Sequence, residues 1–273
     1  MTIQSWLQST TTSKRSNIPS FRLDIELLLS DVLKVDRTWL HAHDDESLTA
    51  QQLAELERLV TRRLNREPMA YILGHKEFYG REFIVTSDVL IPRPESEIMI
   101  DLLKTLPIRG GSYAIDVGTG SGCLGITAKI ECSAIRDMIL ADISEKALVV
   151  AKRNNRAAYH LSKVQYCTSD LLEHWVDSKT PYVDVILANL PYVDISWERS
   201  PETDHEPALA LFAEDHGLAL IKKLINQTKT VLRSGGYLLL EADPEQHPAI
   251  TAASQKAGLS HIITRDYIVV LQR

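Results

Sequence analysis

Cysteine is scarce in this 273-residue chain, which has only Cys123, Cys132 and Cys167. No two of them form a C-x-x-C pair, so we expect neither a disulfide framework nor a zinc site. None of the nine histidines falls in an H-E-x-x-H pattern, and no metal site is predicted. The scarcity of cysteine favours a protein of the reducing cytoplasm that works without a metal ion.

Long apolar runs and an excess of positive charge are also missing. No stretch of about 18 uninterrupted apolar residues occurs, and the amino terminus lacks a basic segment followed by an apolar run. We therefore expect neither a membrane span nor export. The 30 Lys and Arg against 36 Asp and Glu give a net charge of −6. This is the wrong sign for a protein that binds nucleic acid mainly through phosphates, and no direct nucleic-acid binding is expected.

The first 75 residues carry only helix signals. Apolar side chains recur at helical spacing over residues 25–33 and again over residues 53–64. Thr49 and Gln52 form a capping box just before the second stretch. Arginines also recur at helical spacing here, and we interpret them as a solvent-exposed stripe: Arg58, Arg62, Arg63 and Arg66.

After this helical region the pattern changes twice. Residues 76–97 suggest a short hairpin or extended linker around Gly80. Residues 98–273 alternate helical stretches with short β-branched runs, which predicts an α/β domain with a parallel sheet covered by helices on both faces. The four main runs are Tyr113–Val117, Met138–Ala141, Val183–Ala188 and Tyr237–Leu240. Ligands of such sheets bind beyond the carboxyl ends of the strands, so we expect the functional residues to follow these runs.

A glycine-rich loop follows the first run. Alternating glycines let a backbone pass close to a ligand while the next helix begins beneath it. The loop also fits a dinucleotide fingerprint, so a nicotinamide enzyme, an S-adenosylmethionine (SAM) enzyme and a turn without ligand all remain open. The position of the glycines, with Asp116 ahead of them, resembles the first motif of Rossmann-like methyltransferases. The candidate cofactor residues in the loop are Gly118, Thr119, Gly120, Ser121 and Gly122, and we expect Asn189, after the third main run, to contact the cofactor as well.

Acidic residues follow the next two runs. Asp142 is placed to accept hydrogen bonds from both hydroxyls of a ribose, and its alternative role is a helix cap, which Ser144 could also supply. Asp170 could accept a hydrogen bond from the exocyclic amine of adenine while Leu171 covers the ring. An exposed turn aspartate is the alternative at that position.

The segment Asn189-Leu-Pro-Tyr192 ends the third main run and is the strongest signal in the chain. It resembles the Asn/Asp-Pro-Pro-Tyr signature of methyltransferases that modify a planar NH₂ nitrogen. The side-chain oxygen of Asn189 and the main-chain oxygen of Leu190 could accept the two N–H bonds, while Tyr192 stacks on the planar group. Pro191 stiffens the turn, and no general base is required before methyl transfer. An ordinary asparagine turn is the alternative.

Longer strings give the sequence a resemblance to the peptide chain release factor N5-glutamine methyltransferases over nearly the whole chain. They include Arg22-Leu-Asp-Ile-Glu, Pro68-Met-Ala-Tyr-Ile-Leu-Gly74, Val89-Leu-Ile-Pro-Arg-Pro-Glu95 and Glu206-Pro-Ala-Leu209. The resemblance implies a class I SAM-dependent methyltransferase domain behind a small all-α domain (residues 1–75) that docks release factors. It implies methyl transfer from SAM to the glutamine of the Gly-Gly-Gln (GGQ) loop of class I release factors.

The sequence departs from the family pattern in two ways that bear on the site. Leu190 stands where the family has proline, and we expect the chemistry to be retained because every residue supplies a carbonyl. The segment 241–246 replaces a glycine-containing one, and we expect that change to affect peripheral contacts. Arg93 lies in a stiff loop, either at the mouth of the site or in a structural salt bridge. The alternative functions are methylation of an exocyclic amine of DNA or RNA bases and an inactive SAM-binding scaffold. We expect a monomer.

Overall fold

The computed structural model describes residues 1–13, 17–177 and 182–273. The helices are α1 (Ile3–Ser13), α2 (Phe21–Leu33), α3 (Arg37–Ala42), α4 (Ala50–Leu64), α5 (Met69–Leu73), α6 (Glu97–Thr105), α7 (Cys123–Glu131), α8 (Glu145–Asn154), α9 (Ala219–Val231) and α10 (His247–Lys256). The strands are β1 (His75–Phe78), β2 (Arg81–Ile84), β3 (Ser112–Val117), β4 (Ile135–Asp142), β5 (Val164–Thr168), β6 (Val183–Ala188), β7 (Leu232–Glu241), β8 (Ser260–Arg265) and β9 (Ile268–Gln272).

Two compact units make up the chain. The first, the helical unit, contains residues 1–74 together with residues 200–205. The second, the sheet unit, contains residues 75–199 and 206–273. The sequence gives no sign that residues 200–205 group with the helices, because they are a short polar segment far along the chain.

The helical unit is built from α1 to α5 around one apolar core. Ile25, Leu28 and Leu29 of α2 are fully buried against Leu56 and Val60 of α4, as their helical spacing predicts. A capping box starts α4, as predicted: Thr49 Oγ1 accepts a hydrogen bond from the Gln52 amide, and the Gln52 side chain accepts one from the Thr49 amide.

The prediction of a solvent-exposed arginine stripe is wrong at Arg63. The Arg63 side chain is only 6% exposed, and its Nε lies 2.7 Å from Asp24 Oδ2. Its Nη1 lies 3.0 Å from Glu202 Oε1, which also pairs with Arg66 at 3.1 Å. The carboxylates of α2 and of the 200–205 segment make this burial possible, since a buried guanidinium needs ionic partners.

The sheet unit contains a seven-stranded sheet of order β5-β4-β3-β6-β7-β9-β8 and the separate hairpin β1–β2. The first five strands in this order, β5, β4, β3, β6 and β7, are parallel, as expected. The last two strands are not, because β9 is antiparallel to both β7 and β8. The prediction of a parallel sheet therefore fails at this end, where a tight turn with Asp266 at a φ of +51° joins β8 to β9.

Both faces of the sheet are buried. Along β6, Val185 and Leu187 pack into a cluster with residues of α6, α7 and α8, while Ile186 and Ala188 pack into a second cluster with α9 and α10. This alternation explains why the strands read as continuous apolar runs. Over the described ranges, no helix combines the length and apolar character of a membrane span. The same residues hold no group of three His, Cys, Asp or Glu side chains arranged as metal ligands.

Candidate active site

The carboxyl ends of four neighbouring parallel strands meet at one edge of the sheet. Val117 of β3 lies opposite Ala141 of β4 and Ala188 of β6, and Ala188 lies opposite Leu240 of β7. The residues that follow these strands are therefore neighbours in space. This is the edge at which parallel sheets covered by helices bind ligands.

A cavity opens at this edge and contains nearly all of the predicted site residues. Its lining includes Gly118 through Ser121, Asp142, Asp170, Leu171 and Asn189 through Pro191. Gly122 and Tyr192 are outside the lining. Gly122 packs against the helices instead, since a Cβ there would lie 3.0 Å from Ile126 and 3.1 Å from Ala151.

The glycine-rich loop has a backbone shape that only glycine adopts without strain. Gly118, Gly120 and Gly122 have φ values of +70°, +53° and +81°. A Cβ on Gly120 would meet no atom within 4 Å, so the main chain there is open to a ligand. Beneath the loop, Asp116 accepts hydrogen bonds from Thr119 Oγ1 at 2.6 Å and from the Gly125 amide at 2.9 Å. Burial raises the pKa of Asp116 to about 7.

Asp142 lines the cavity and contacts the glycine-rich loop. Its Oδ2 accepts a hydrogen bond from the Gly120 amide at 2.9 Å, and its Oδ1 accepts one from the Ser144 amide at 2.9 Å. Helix α8 is capped by Ser144, whose hydroxyl accepts from the Ala147 amide. The capping role therefore belongs to Ser144, and Asp142 stays at the cavity, where burial raises the pKa of its carboxyl group.

Asp170 and Leu171 lie at the end of β5. Asp170 is 2.6 Å from Lys223 Nζ and its side chain is 37% exposed, so it is an ion-paired residue as well as a cavity residue. Leu171 is buried with a φ of +53°, a backbone conformation uncommon for leucine. Its side chain forms part of the apolar cavity wall.

Asn189 is held by a hydrogen bond through its nitrogen. Asn189 Nδ2 donates to Ser96 Oγ at 2.9 Å. Within the described residues, no hydrogen bond reaches Asn189 Oδ1, which leaves an acceptor at the cavity. Leu190 is 4% exposed and packs toward the glycine-rich loop, because a Cβ on Gly118 would lie 3.1 Å from Leu190 Cδ2. The leucine that replaces the family proline is thus part of the core.

Tyr192 is anchored at both its hydroxyl and its backbone. The hydroxyl donates to Glu241 Oε1 at 3.2 Å, and the backbone oxygen accepts from Gln246 Nε2 at 2.9 Å. Burial, followed by the proximity of Glu241, raises the pKa of the Tyr192 hydroxyl. A Cβ on Gly217 would lie 1.9 Å from the same backbone oxygen, so only glycine fits beside it.

The sequence interpretation missed Ser96 and Glu241. Glu241 is 1% exposed and accepts hydrogen bonds from Ser96 Oγ at 2.5 Å and from Tyr192 Oη. Segment 241–246, whose change we expect to affect peripheral contacts more than the centre, thus includes a residue bonded to Tyr192. A signal was present, because Glu241 directly follows the apolar run that ends at Leu240, and residues after such runs lie at the ligand edge.

Arg93 fits both of its interpretations. It lines the cavity, and its guanidinium lies 2.6 Å from Glu206 Oε1. Glu206 is buried, and its other oxygen accepts a hydrogen bond from the Ile91 amide at 3.1 Å. The ion pair therefore ties the segment before α6 to the segment after residue 205.

This sheet order, with a glycine-rich loop after β3 and an acidic residue at the end of β4, defines a SAM-dependent methyltransferase domain. Residues 5–74 match the family described as PrmC N-terminal domain, and residues 96–201 match the methyltransferase small domain. The chain belongs to the release factor glutamine methyltransferase family.

Relatives and a solved structure support this membership and the fold. The release factor glutamine methyltransferase of Koribacter versatilis is 38% identical over 238 residues, covering 84% of this chain and 83% of that protein. The one from Coxiella burnetii is 38% identical over 269 residues, covering 97% and 93%. The 16S rRNA N2 G1207 methyltransferase of T. thermophilus, solved with AdoMet and guanosine, has a TM-score of 0.51 at 17% identity. It covers 73% of this chain and 49% of that one.

Proposed function

We propose that this protein transfers the methyl group of SAM to the side-chain nitrogen N5 of the glutamine in the GGQ loop of class I release factors. The observation that carries the proposal is Asn189 Oδ1 at the end of β6, beside the glycine-rich loop, which accepts no hydrogen bond from the part of the chain that the structure describes. An acceptor oxygen there suits a substrate NH₂ group, which offers two donors and no strong acceptor. Membership of the family supports the same substrate.

The residues around the cavity fit SAM. The open main chain at Gly120 supports close approach of the cofactor, and Asp142 would accept hydrogen bonds from its ribose hydroxyls. Asp170 would accept from the adenine amine while Leu171 covers the ring. Bound SAM supplies a methyl group activated by a positively charged sulfur.

The acceptor glutamine would be held by Asn189 and its neighbours. Asn189 Oδ1 and the main-chain oxygen of Leu190 accept the two N–H bonds and aim the nitrogen at the methyl group. Pro191 keeps the turn rigid. Tyr192 supplies a ring whose orientation is fixed by its hydroxyl bond to Glu241. The amide proton leaves after methyl transfer, so no general base is assigned.

The remaining parts of the proposal concern partner and location. The helical unit docks the release factor, and the enzyme acts in the cytoplasm as a monomer without contacting nucleic acid directly. The formal charge of −6 supports a protein substrate over a nucleic-acid one.

A methyl-transfer assay tests the proposed function. Full-length enzyme is incubated with SAM carrying a labelled methyl group and with a purified release factor, with the same factor carrying alanine in place of the GGQ glutamine, or with DNA or RNA. We expect one methyl group per release factor, located on that glutamine by peptide mass spectrometry, and none on the other acceptors. Label on nucleic acid would favour base methylation. SAM binding without any transfer would indicate an inactive scaffold.

A matched variant tests the acceptor site. Asn189→Ala should lower turnover at least about a hundredfold, since positioning of reacting groups contributes several kcal/mol to catalysis. Its affinity for SAM should fall far less than its turnover, because the glycine-rich loop and Asp142 are untouched. Wild-type turnover in this variant would exclude the proposed role of Asn189.

A further inference from the structure

We infer that Ser96 and Glu241 are positioning residues that keep the Asn189 carboxamide turned with its oxygen toward the acceptor. The inference rests on the proposed function and deepens it. A carboxamide has an oxygen and an NH₂ of nearly equal size, and a half-turn exchanges them. With the NH₂ facing the cavity, two donor groups would oppose each other, and the acceptor amide could not bind.

The direction of the hydrogen bonds selects one orientation. The Ser96 hydroxyl has a single proton, which it donates to Glu241 Oε2 at 2.5 Å. Its oxygen is then available to Asn189 only as an acceptor, so Asn189 must present its NH₂, at 2.9 Å. Asn189 Oδ1 is thereby left facing the cavity. The chain of bonds runs from the carboxylate through one hydroxyl to the amide.

Glu241 acts as an acceptor at both of its oxygens. Oε2 takes the Ser96 proton and Oε1 takes the Tyr192 proton at 3.2 Å. In its charged form Glu241 has no proton to donate, so it enforces this direction on both neighbours. Burial raises the pKa of Glu241, while the hydrogen bonds from Ser96 and Tyr192 favour the charged form. One buried side chain thus orients both Asn189 and Tyr192, the two side chains proposed to grip the acceptor amide.

The hydrogen-bond network of Asn189, Ser96, Glu241 and Tyr192 is rigid because of where it lies. Ser96 is 3% exposed and Glu241 is 1% exposed, so water does not compete for their bonds. Glu241 ends β7, and Leu240 before it pairs with Ala188, which precedes Asn189. Ser96 lies in the short turn of helix that leads into α6. Three separate elements therefore fix the carboxamide, as supporting residues do around a preorganised site.

Kinetics on four variants test the inference. Ser96→Ala and Glu241→Gln should each lower kcat about tenfold to a hundredfold, the range typical of losing such a supporting bond. Their affinity for SAM, measured by calorimetry, should stay within about twofold of wild type. Ser96→Thr keeps the hydroxyl and should recover most of the activity. Ser254→Ala, which removes another buried serine hydroxyl bonded to a helix carbonyl, is the matched control and should leave kcat unchanged.

A direct readout does not depend on turnover. In ¹⁵N-labelled wild type, the side-chain NH₂ of Asn189 should exchange slowly with solvent, and in Ser96→Ala it should exchange at least about tenfold faster. Unchanged exchange, or unchanged kcat in Ser96→Ala with an active wild type, would overturn the inference and leave the proposed function standing. A wild type that does not methylate the GGQ glutamine would refute the proposed function, and the exchange experiment would still decide the inference.

Discussion

Replacement of Gly118 by alanine tests the connection between the cofactor loop and the acceptor segment. Gly118 has a φ of +70°, and a Cβ added to it would lie 3.1 Å from Leu190 Cδ2. Leu190 is 4% exposed and packed against core side chains, so moving it away from Gly118 disturbs that packing. The substitution therefore combines backbone strain with a contact that is relieved only if Leu190 moves.

The two contributions can be separated with a matched glycine. Positive φ alone costs an alanine roughly 1 kcal/mol. The tight contact at Gly118 should add about 1–2 kcal/mol, as overpacking of a filled core does. Gly111 has a φ of +83° and no atom within 4 Å of its Cβ position, so Gly111→Ala carries the strain without the contact. We expect Gly118→Ala to lose about 2–3 kcal/mol of unfolding free energy and Gly111→Ala about 1 kcal/mol.

Urea titrations and calorimetry measure the outcome. Gly118→Ala should also bind SAM at least about tenfold more weakly, because the loop and Leu190 move together, whereas Gly111→Ala should bind normally. In the double variant Gly118→Ala/Leu190→Ala, the Leu190 methyl groups that the new Cβ would contact are absent. The combined loss should then be smaller than the sum of the single losses by about 1 kcal/mol. Equal losses for the two glycine variants, or strict additivity in the double variant, would refute the reasoning.

Further outcomes concern buried charges. Burial raises the pKa of Asp116 from 3.8 to about 7. The wild type therefore loses stability as the pH rises between these values, and Asp116→Asn should be up to about 4 kcal/mol more stable near pH 8 and no more stable near pH 4 in urea titrations. Arg93→Ala leaves the buried Glu206 without its ionic partner and should lower the free energy of unfolding by about 3 kcal/mol. Adding Glu206→Gln to this variant removes the buried charge and should restore most of that loss. Arg63→Ala should cost about 3–5 kcal/mol of unfolding free energy, whereas replacing the exposed Arg58 should have little effect.

Local patterns in the sequence were enough to predict the main strands of the parallel sheet, two of the N-terminal helices and several of the residues that line the cavity. The glycines after β3 and Asn189 after β6 stand out because strand ends and positive φ have residue preferences that one sequence reveals. Thr49 and Gln52 are similarly local, being three residues apart. The parallel pairing of β3, β4, β5, β6 and β7 then follows from the alternation of strands and helices.

Contacts between distant parts of the chain could not be predicted in this way. Ser96 and Glu241 are 145 residues apart, and Arg63 and Glu202 are 139 residues apart. Their pairing depends on how whole elements pack, which no local pattern records. The antiparallel end of the sheet was missed for a related reason, since the run in β9 has the same composition as a parallel strand.

The discontinuous make-up of the helical unit matters for anyone who dissects this protein. A fragment that stops at Gly74 retains Asp24 as a partner for Arg63 but loses Glu202, the carboxylate that Arg63 and Arg66 share. Two guanidinium groups would then crowd together with half of their compensating negative charge removed. A fusion that reattaches the 200–205 peptide through a flexible tether would be the sounder route to an isolated helical unit.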